Sequence, residues 1–438
     1  MLKIKPFSAL RYNFDSISDM AEVIAPPYDI ISPAEQDELY QKNPFNVIRL
    51  ELGKEYADDT PAKNRYTRTK AELDTWKSKK VLIREDKPAF YLYEHRYDLD
   101  GQTHTLTGLV AAVELRDFSE GVVLPHENVL KGPVTDRFEL LKACSTNFSQ
   151  VFTLYDDPKN QLDTLLADYT NQTPLYDTIL PSERYRVWKI QEAPIVHQIE
   201  AFFADKVLFI ADGHHRYTTG VAYKEYCHAT YGPLPADSQA NYGMIFLTNL
   251  YHPALHLFPT HRVCFGLPNF DQSVFLEAVK AYFDVQSFTD KSTFIDYVNS
   301  AGTEKKIFGV IFKHNTYVAL TLKGFDVIAS FFPGTASSAL KNLDVSILHS
   351  VILQGILNLT PDSIQKQENL RYIKDAEDVF SSLGSGDYDI GFLMNPTRIE
   401  EMRDVSLASE KMPQKSTYFY PKLISGLLMN EIDPKQSI

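Results

Sequence analysis

A short apolar run, Lys206 to Ala211, leads straight into Asp212-Gly213-His214-His215-Arg216. A stretch from Tyr217 to Tyr231 follows that reads as a helix closed by Gly232-Pro233. Strand, polar turn and helix in that order commit this part of the chain to α/β construction, with the turn at the end of a sheet strand. Gly213 permits a tight turn and lets backbone N–H groups come close to a ligand. The start of the helix adds unpaired N–H donors and a partial positive charge, which suit a phosphate. His214, His215 and Arg216 bring side-chain donors, the arginine as a planar fork matched to phosphoryl oxygens. Asp212, at the strand end, is placed to hold Mg²⁺ or to accept a proton. As a plain helix N-cap it would do neither and would contribute about 1 kcal/mol to the helix; the residue types leave both roles open.

Charge narrows the ligand. The 438 residues carry 44 basic and 57 acidic side chains, a formal net charge of -13. Such a surface repels nucleic-acid backbones and anionic lipid, and no Lys/Arg-rich run offsets it. Small-molecule chemistry is therefore the expectation. Cys144, Cys227 and Cys264 lie far apart with no CxxC pair, which fits a reducing compartment and neither a disulfide framework nor a zinc ribbon. The N-terminus lacks the apolar core of a signal peptide, and no run approaches 18 apolar residues, so a cytoplasmic location is expected. The length exceeds one ordinary core. Two domains are expected, 1–265 and 266–438, with the boundary near Gly266-Leu267-Pro268.

Periodicity predicts a helix over 64–80 with Tyr66, Leu73 and Trp76 inward, then a hairpin from 90–97 through an Asp100-Gly101 turn to 103–115. Further expected elements are a helix from Asp136 to Cys144, a strand over 151–155, a helix over 161–170 and a strand over 244–247. Strands at 307–312 and 317–322 alternate with helical stretches. The fold class expected is α/β to α+β.

Other polar groups cluster as well. Pro125-His126-Glu127-Asn128 is followed by Lys131-Gly132-Pro133 and Asp136-Arg137. Glu127 is the preferred general base, able to take a proton from a hydroxyl or to bind Mg²⁺. Lys131 and Arg137 suit phosphate oxygens, although a polar surface loop would have the same composition. His261 and Arg262, in Pro259-Thr260-His261-Arg262, come where an apolar stretch ends and suit a pocket rim. Lys415-Ser416-Thr417 lacks the upstream glycine frame of a Walker A loop, which leaves Lys415 as a point charge for phosphate. Dinucleotide-binding GxGxxG, GxSxG and HExxH motifs are absent.

The Asp212–Arg216 turn resembles the phosphate-binding motif of the ParB/sulfiredoxin superfamily, whose members related to free serine kinases carry an Asp-Gly-His-His-Arg form. The whole chain resembles the DUF1015 family through Ala25-Pro26-Pro27-Tyr28-Asp29, His126 to Arg137, Ala211 to Tyr217, Pro259 to Arg262 and Met412 to Gly426. The resemblance implies a ParB/sulfiredoxin-like nucleotide-binding core with large insertions and a C-terminal α/β domain that contributes to the site. It places Tyr28 and Asp29 in the pocket that the turn lines, with His126, His261 and Arg262 on the substrate side.

The activity expected is a phosphotransferase that uses ATP or ADP with Mg²⁺ on a small hydroxylated metabolite, of the free-serine-kinase type. Glu127, Asp212 and His215 are its catalytic candidates, and Asp212 and Glu127 its metal ligands. Gly213, His214, Arg216, Lys131, Arg137 and Lys415 are expected on the nucleotide. Two alternatives stand beside it. One is a metal-dependent phosphoester hydrolase built from His126, Glu127, Asp212, His214, His215 and His261. The other is a non-enzymatic ParB-like regulator, which the net charge opposes. The partners expected are a substrate and a nucleotide, with neither nucleic acid nor membrane; a second copy of the chain is the one macromolecular partner considered.

Overall fold

Residues 1–301, 305–313 and 316–438 are described by the computed structural model. They form two compact units. Unit 1 holds Met1–Pro125, Val129–His256 and Pro421–Ile438; unit 2 holds His126–Asn128 and Leu257–Tyr420.

Unit 1 is organised by a nine-stranded sheet. Its strands, in chain order, are β1 (Ile4–Lys5), β2 (Phe90–Leu99), β3 (Gln102–Glu114), β4 (Val123–Leu124), β5 (Val151–Tyr155), β6 (Tyr176–Ile179), β7 (Glu183–Ile190), β8 (Leu208–Asp212) and β9 (Tyr242–Asn249). Their spatial order is β4-β8-β5-β9-β3-β2-β7-β6, with β1 added alongside β3. The β2–β3 hairpin closes through Asp100 and Gly101, both at positive φ, as a two-residue turn requires. The β4–β8 and β5–β9 pairs are parallel; β8 and β5 run antiparallel.

Four longer helices flank this sheet: α1 (Arg65–Ser78), α2 (Lys131–Cys144), α3 (Ala193–Phe203) and α4 (His214–Tyr231). In α1, Asn64 caps the first turn and buried Leu73 and Trp76 face inward. Tyr66, expected beside them, instead donates its hydroxyl to Asp136 at 2.8 Å, because a phenol tip buried in apolar packing would lack a partner. The α2 helix begins five residues earlier than its expected start at Asp136. Gly132 and Pro133 lie in its first turn, where a missing N–H costs nothing. Likewise α4 begins at His214, so the two histidines and Arg216 are helical rather than part of a loop.

Apolar side chains on β3, β5, β7, β8 and β9 pack with Ile199, Phe203 and Tyr217 into the main core, which encloses Trp188. Burial of each large side chain contributes about 2–3 kcal/mol. A smaller cluster of Leu141, Tyr223, Cys227, Ala240 and Ile432 fastens α2 to α4 and anchors the chain's last segment. That segment returns through an Asn430–Asn147 pairing and an Ala25–Ser425 bridge.

Unit 2 has a six-stranded sheet of β10 (His261–Cys264), β11 (Phe283–Phe288), β12 (Ile307–Phe312), β13 (Thr316–Leu322), β14 (Leu370–Ile373) and β15 (Ile390–Leu393). The order is β11-β13-β12-β15-β10-β14, and every adjacent pair is antiparallel. Val263, Ile307, Ile311, Ala319 and Leu393 supply its core, against Phe294, Val298, Val379 and Leu383. The molecule is thus mixed α/β. Among the described residues no helix is long and apolar enough to cross a membrane.

Candidate functional site

The end of β8 is irregular. Ile210 pairs with Thr153 and Asp212 with Phe152, so Ala211 is an extra residue on the β8 side. A bulge of this kind bends the strand and re-aims the side chain that follows. Asp212 is that side chain. Gly213 then takes φ 89°, a left-handed conformation that opens α4. A Cβ there would stand 2.9–3.0 Å from the Arg216 guanidinium, which folds back over the glycine.

The carboxylate of Asp212 does not cap the helix. Its Oδ1 accepts the Gly213 N–H at 2.9 Å, and α4 has no side-chain cap. Its Oδ2 lies 3.2 Å from Lys422 Nζ and 3.7 Å from Arg216 Nη2. Burial pushes the Asp212 carboxyl up, but the two cations, the Lys422 hydrogen bond and the Gly213 N–H outweigh it and hold its pKa below the usual value. Arg216 donates through Nη1 to the Gln150 carbonyl, while its Nε is buried without a partner. The start of α4 therefore gathers a carboxylate, an ammonium and a guanidinium around a bare glycine.

The two histidines differ. His214 is buried, 3% exposed. His215 Nε2 accepts the Leu130 N–H at 3.0 Å, which puts its proton on Nδ1 and ties α4 to the start of α2.

Arg137, expected on phosphate, is enclosed and engaged. It donates to both the backbone and the side chain of Glu51 and to Asp136, and its guanidinium lies 4.2 Å from the Tyr28 ring centre. Burial opposes its charge, yet Glu51 and Asp136 more than compensate and its pKa is raised. Tyr28 is pushed up to about 12 by burial, against the pull of Arg137 and Arg216, and Asp29 and Glu51 lie within its electrostatic reach. Tyr28, Asp29, Arg137, Asp212, Gly213 and Arg216 thus belong to one neighbourhood of unit 1, whereas Lys131 is exposed at the start of α2. A cavity of about 40 Å³ is lined by the polar residues Glu51, Arg137, Ser149 and Arg216 together with apolar Leu140 and Met244.

Unit 2 carries the remaining candidates. His126 accepts the Met412 N–H on its carbonyl at 2.8 Å and is hydrogen-bonded through Nε2 to Thr417 Oγ1 at 2.8 Å. The loop that bears Lys415 is in this way fastened to the segment that bears Glu127. Arg262 Nη2 donates to the Lys415 carbonyl at 3.1 Å, and Lys415 itself is exposed, at φ 55°. His261 and Arg262 are enclosed in the sheet rather than set on a rim, because β10 runs between β14 and β15.

Among the described residues no three His, Cys, Asp or Glu side chains group so as to hold a metal ion. Lys422 engages Oδ2 of Asp212 and Gly213 engages Oδ1, so a metal ion at this carboxylate would share it with both. Lys422 and Glu51 were not singled out from sequence. Lys422 sits among aromatic residues and other lysines like a solvated charge, and only the return of the C-terminal segment brings it to Asp212. For Glu51 the available signal was a carboxylate two residues from Arg49 in the otherwise apolar stretch Val47 to Leu52.

The model of the family described as protein of unknown function (DUF1015) matches residues 4–346. The chain belongs to the DUF1015 family. No curated protein matches it. Among solved structures, a free serine kinase variant in complex with AMP is similar at 9% identity, with 76% of this chain and 94% of that chain covered and a TM-score of 0.38. Free serine kinase in complex with AMP is similar at 10% identity, covering 76% and 93%, with a TM-score of 0.37. SbnI with C-terminal truncation from Staphylococcus aureus is similar at 11% identity, covering 75% and 89%, also with a TM-score of 0.37.

Proposed function

We propose that this DUF1015 protein is a nucleotide-dependent phosphotransferase acting on a small hydroxylated metabolite, with free L-serine the first acceptor to test. The observation that carries the reading is the Arg216 guanidinium folded over Gly213, beside the Asp212–Lys422 pair, at the start of an 18-residue helix. Phosphoryl transfer asks mainly for positioning and charge neutralisation. In this reading the backbone at Gly213 and the cations Arg216 and Lys422 receive phosphate, and Asp212 sets the position of both cations. Lys415 and Glu127, the phosphate and general-base candidates of the sequence, belong to unit 2 and are tested by substitution alone. The ParB/sulfiredoxin-like character of the core and the choice between ATP and ADP belong to the same proposal. No step is assigned to Mg²⁺; when bound at Asp212 the ion would share the carboxylate with Lys422.

The test is nucleotide consumption with ATP or ADP, in the presence of Mg²⁺, over a panel of hydroxylated metabolites headed by L-serine. Phosphorylated product that is abolished by Asp212→Asn and by Glu127→Gln supports the assignment. Full turnover by Asp212→Asn, or phosphoester hydrolysis without any nucleotide bound, overturns it.

A further inference from the structure

Unit 2 contains a charge with no counter-charge. Arg262 is 1% exposed, and among the described residues no carboxylate pairs with it. Its Nη1 donates to the Thr260 carbonyl and its Nη2 to the Lys415 carbonyl, while Nε has no partner. Carbonyl dipoles satisfy donors without cancelling a full charge, and an uncompensated buried ion is costly by several kcal/mol. Burial alone pulls the Arg262 pKa down to about 10.

Two residues that interact with this guanidinium each bury a further unsatisfied polar atom. Tyr372 stands directly across from Arg262 in the β10–β14 pair, its ring centre 5.2 Å from the guanidinium, and its buried hydroxyl makes no hydrogen bond. His349 is 5% exposed, interacts electrostatically with Arg262, and leaves Nε2 without a partner. It lies in Leu348–Ile356, which winds as a π-helix, a form that recurs at functional sites. The burial that holds His349 neutral leaves one ring N–H to donate. An isolated orphan donor would signify little; three around one bare positive charge call for an explanation. Water would satisfy the donors but leave the charge.

We propose that Arg262, Tyr372 and His349 form an internal oxyanion site in unit 2, which takes one phosphate or carboxylate group. The three orphan atoms are closed to solvent. Entry therefore requires local opening, and the loop carrying Lys415 is tied to the site through its carbonyl on Arg262. The proposal does not rest on the function proposed for the Gly213 turn.

The experiment is thermal unfolding of the full chain in sodium phosphate, sodium acetate and sodium chloride at matched ionic strength. The expected result is a rise in Tm of several degrees in phosphate or acetate over chloride, the stronger of the two identifying the kind of anion. Tyr372→Phe separates the anion site from a structural role. In chloride this variant is neutral or stabilising, because it removes an unpaired hydroxyl. In the favoured anion it loses most of the rise, with about tenfold weaker half-saturation. His349→Phe behaves in the same way, so the test stands even where Arg262→Met does not fold. Lys280→Gln, an exposed side chain of unit 2, keeps the full rise. The proposal is overturned by an absence of any anion-specific rise in the wild type. A rise unchanged in Tyr372→Phe and His349→Phe overturns it equally, because the anion then binds elsewhere, as at the Gly213 turn.

Discussion

Removing the Lys422 ammonium tests the physical core of the candidate site. Lys422 and Asp212 are 3.2 Å apart, with side chains 15% and 17% exposed, and Arg216 Nη2 stands a further 3.7 Å from the same oxygen. An exposed pair contributes about 0.2–1 kcal/mol, and breaking a buried one costs about 3–5 kcal/mol because the surviving charge is stranded. This pair lies between, and Arg216 partly compensates the stranded carboxylate. Lys422→Met should therefore cost about 2 kcal/mol and Asp212→Asn about the same or slightly more, since it strands two cations. The double variant should lose less than the sum, by about 1.5–2 kcal/mol of coupling.

Trp76 and Trp188 are the chain's two tryptophans and both belong to unit 1, so urea unfolding followed by tryptophan fluorescence reads that unit alone. The pH dependence has a fixed sign. A carboxyl with a depressed folded pKa supplies stability that is present above the ordinary aspartate value of about 3.9 and lost as pH falls through the folded value. The coupling should thus be full at pH 7 and fade below about pH 4. Single variants that add within about 0.5 kcal/mol, or a coupling unchanged at pH 3, would refute the electrostatic account of Asp212.

Gly213→Ala should destabilise unit 1 by about 1–2 kcal/mol from left-handed strain. It should also displace the Arg216 guanidinium, which nucleotide titration of the folded variant would read as weakened binding. His261 is pulled down to about 4 by burial and accepts the Met394 N–H on Nδ1 at 3.0 Å. Below its unfolded pKa of about 6.5 the unfolded chain binds the extra proton, so stability should fall by up to about 3 kcal/mol between pH 6.5 and 4. His261→Asn should flatten that slope in near-ultraviolet circular dichroism melts. Arg137→Met should cost about 3–5 kcal/mol by stranding the buried Glu51, while Asp136 keeps Arg65 and Tyr66; Lys131→Met should leave stability within about 0.5 kcal/mol, and urea midpoints of the two variants settle the contrast.

Local sequence determined local structure here. The apolar runs that became β5, β8 and β12, the hairpin turn at Asp100-Gly101, and the glycine at the start of α4 each follow from side-chain period or backbone freedom within a few residues. Those signals also sufficed to mark Asp212-Gly213-His214-His215-Arg216 as chemically loaded, and to place the chain near DUF1015. Helix starts were less legible. His214–Arg216 and Lys131–Pro133 read as turns, because polar residues, glycine and proline carry that signal until packing of α2 on α4 holds them helical.

Contacts between residues far apart in sequence were decided only by the tertiary structure. The C-terminal segment returns to unit 1 and brings Lys422 to Asp212, and Glu51 reaches Arg137 across 86 positions. Enclosure in unit 2 turns Arg262 from an expected rim residue into a buried charge. The physical reason is common to all three. Periodicity and turn chemistry act over a few residues, whereas a charge takes its meaning from the partner and the degree of burial that the completed fold supplies.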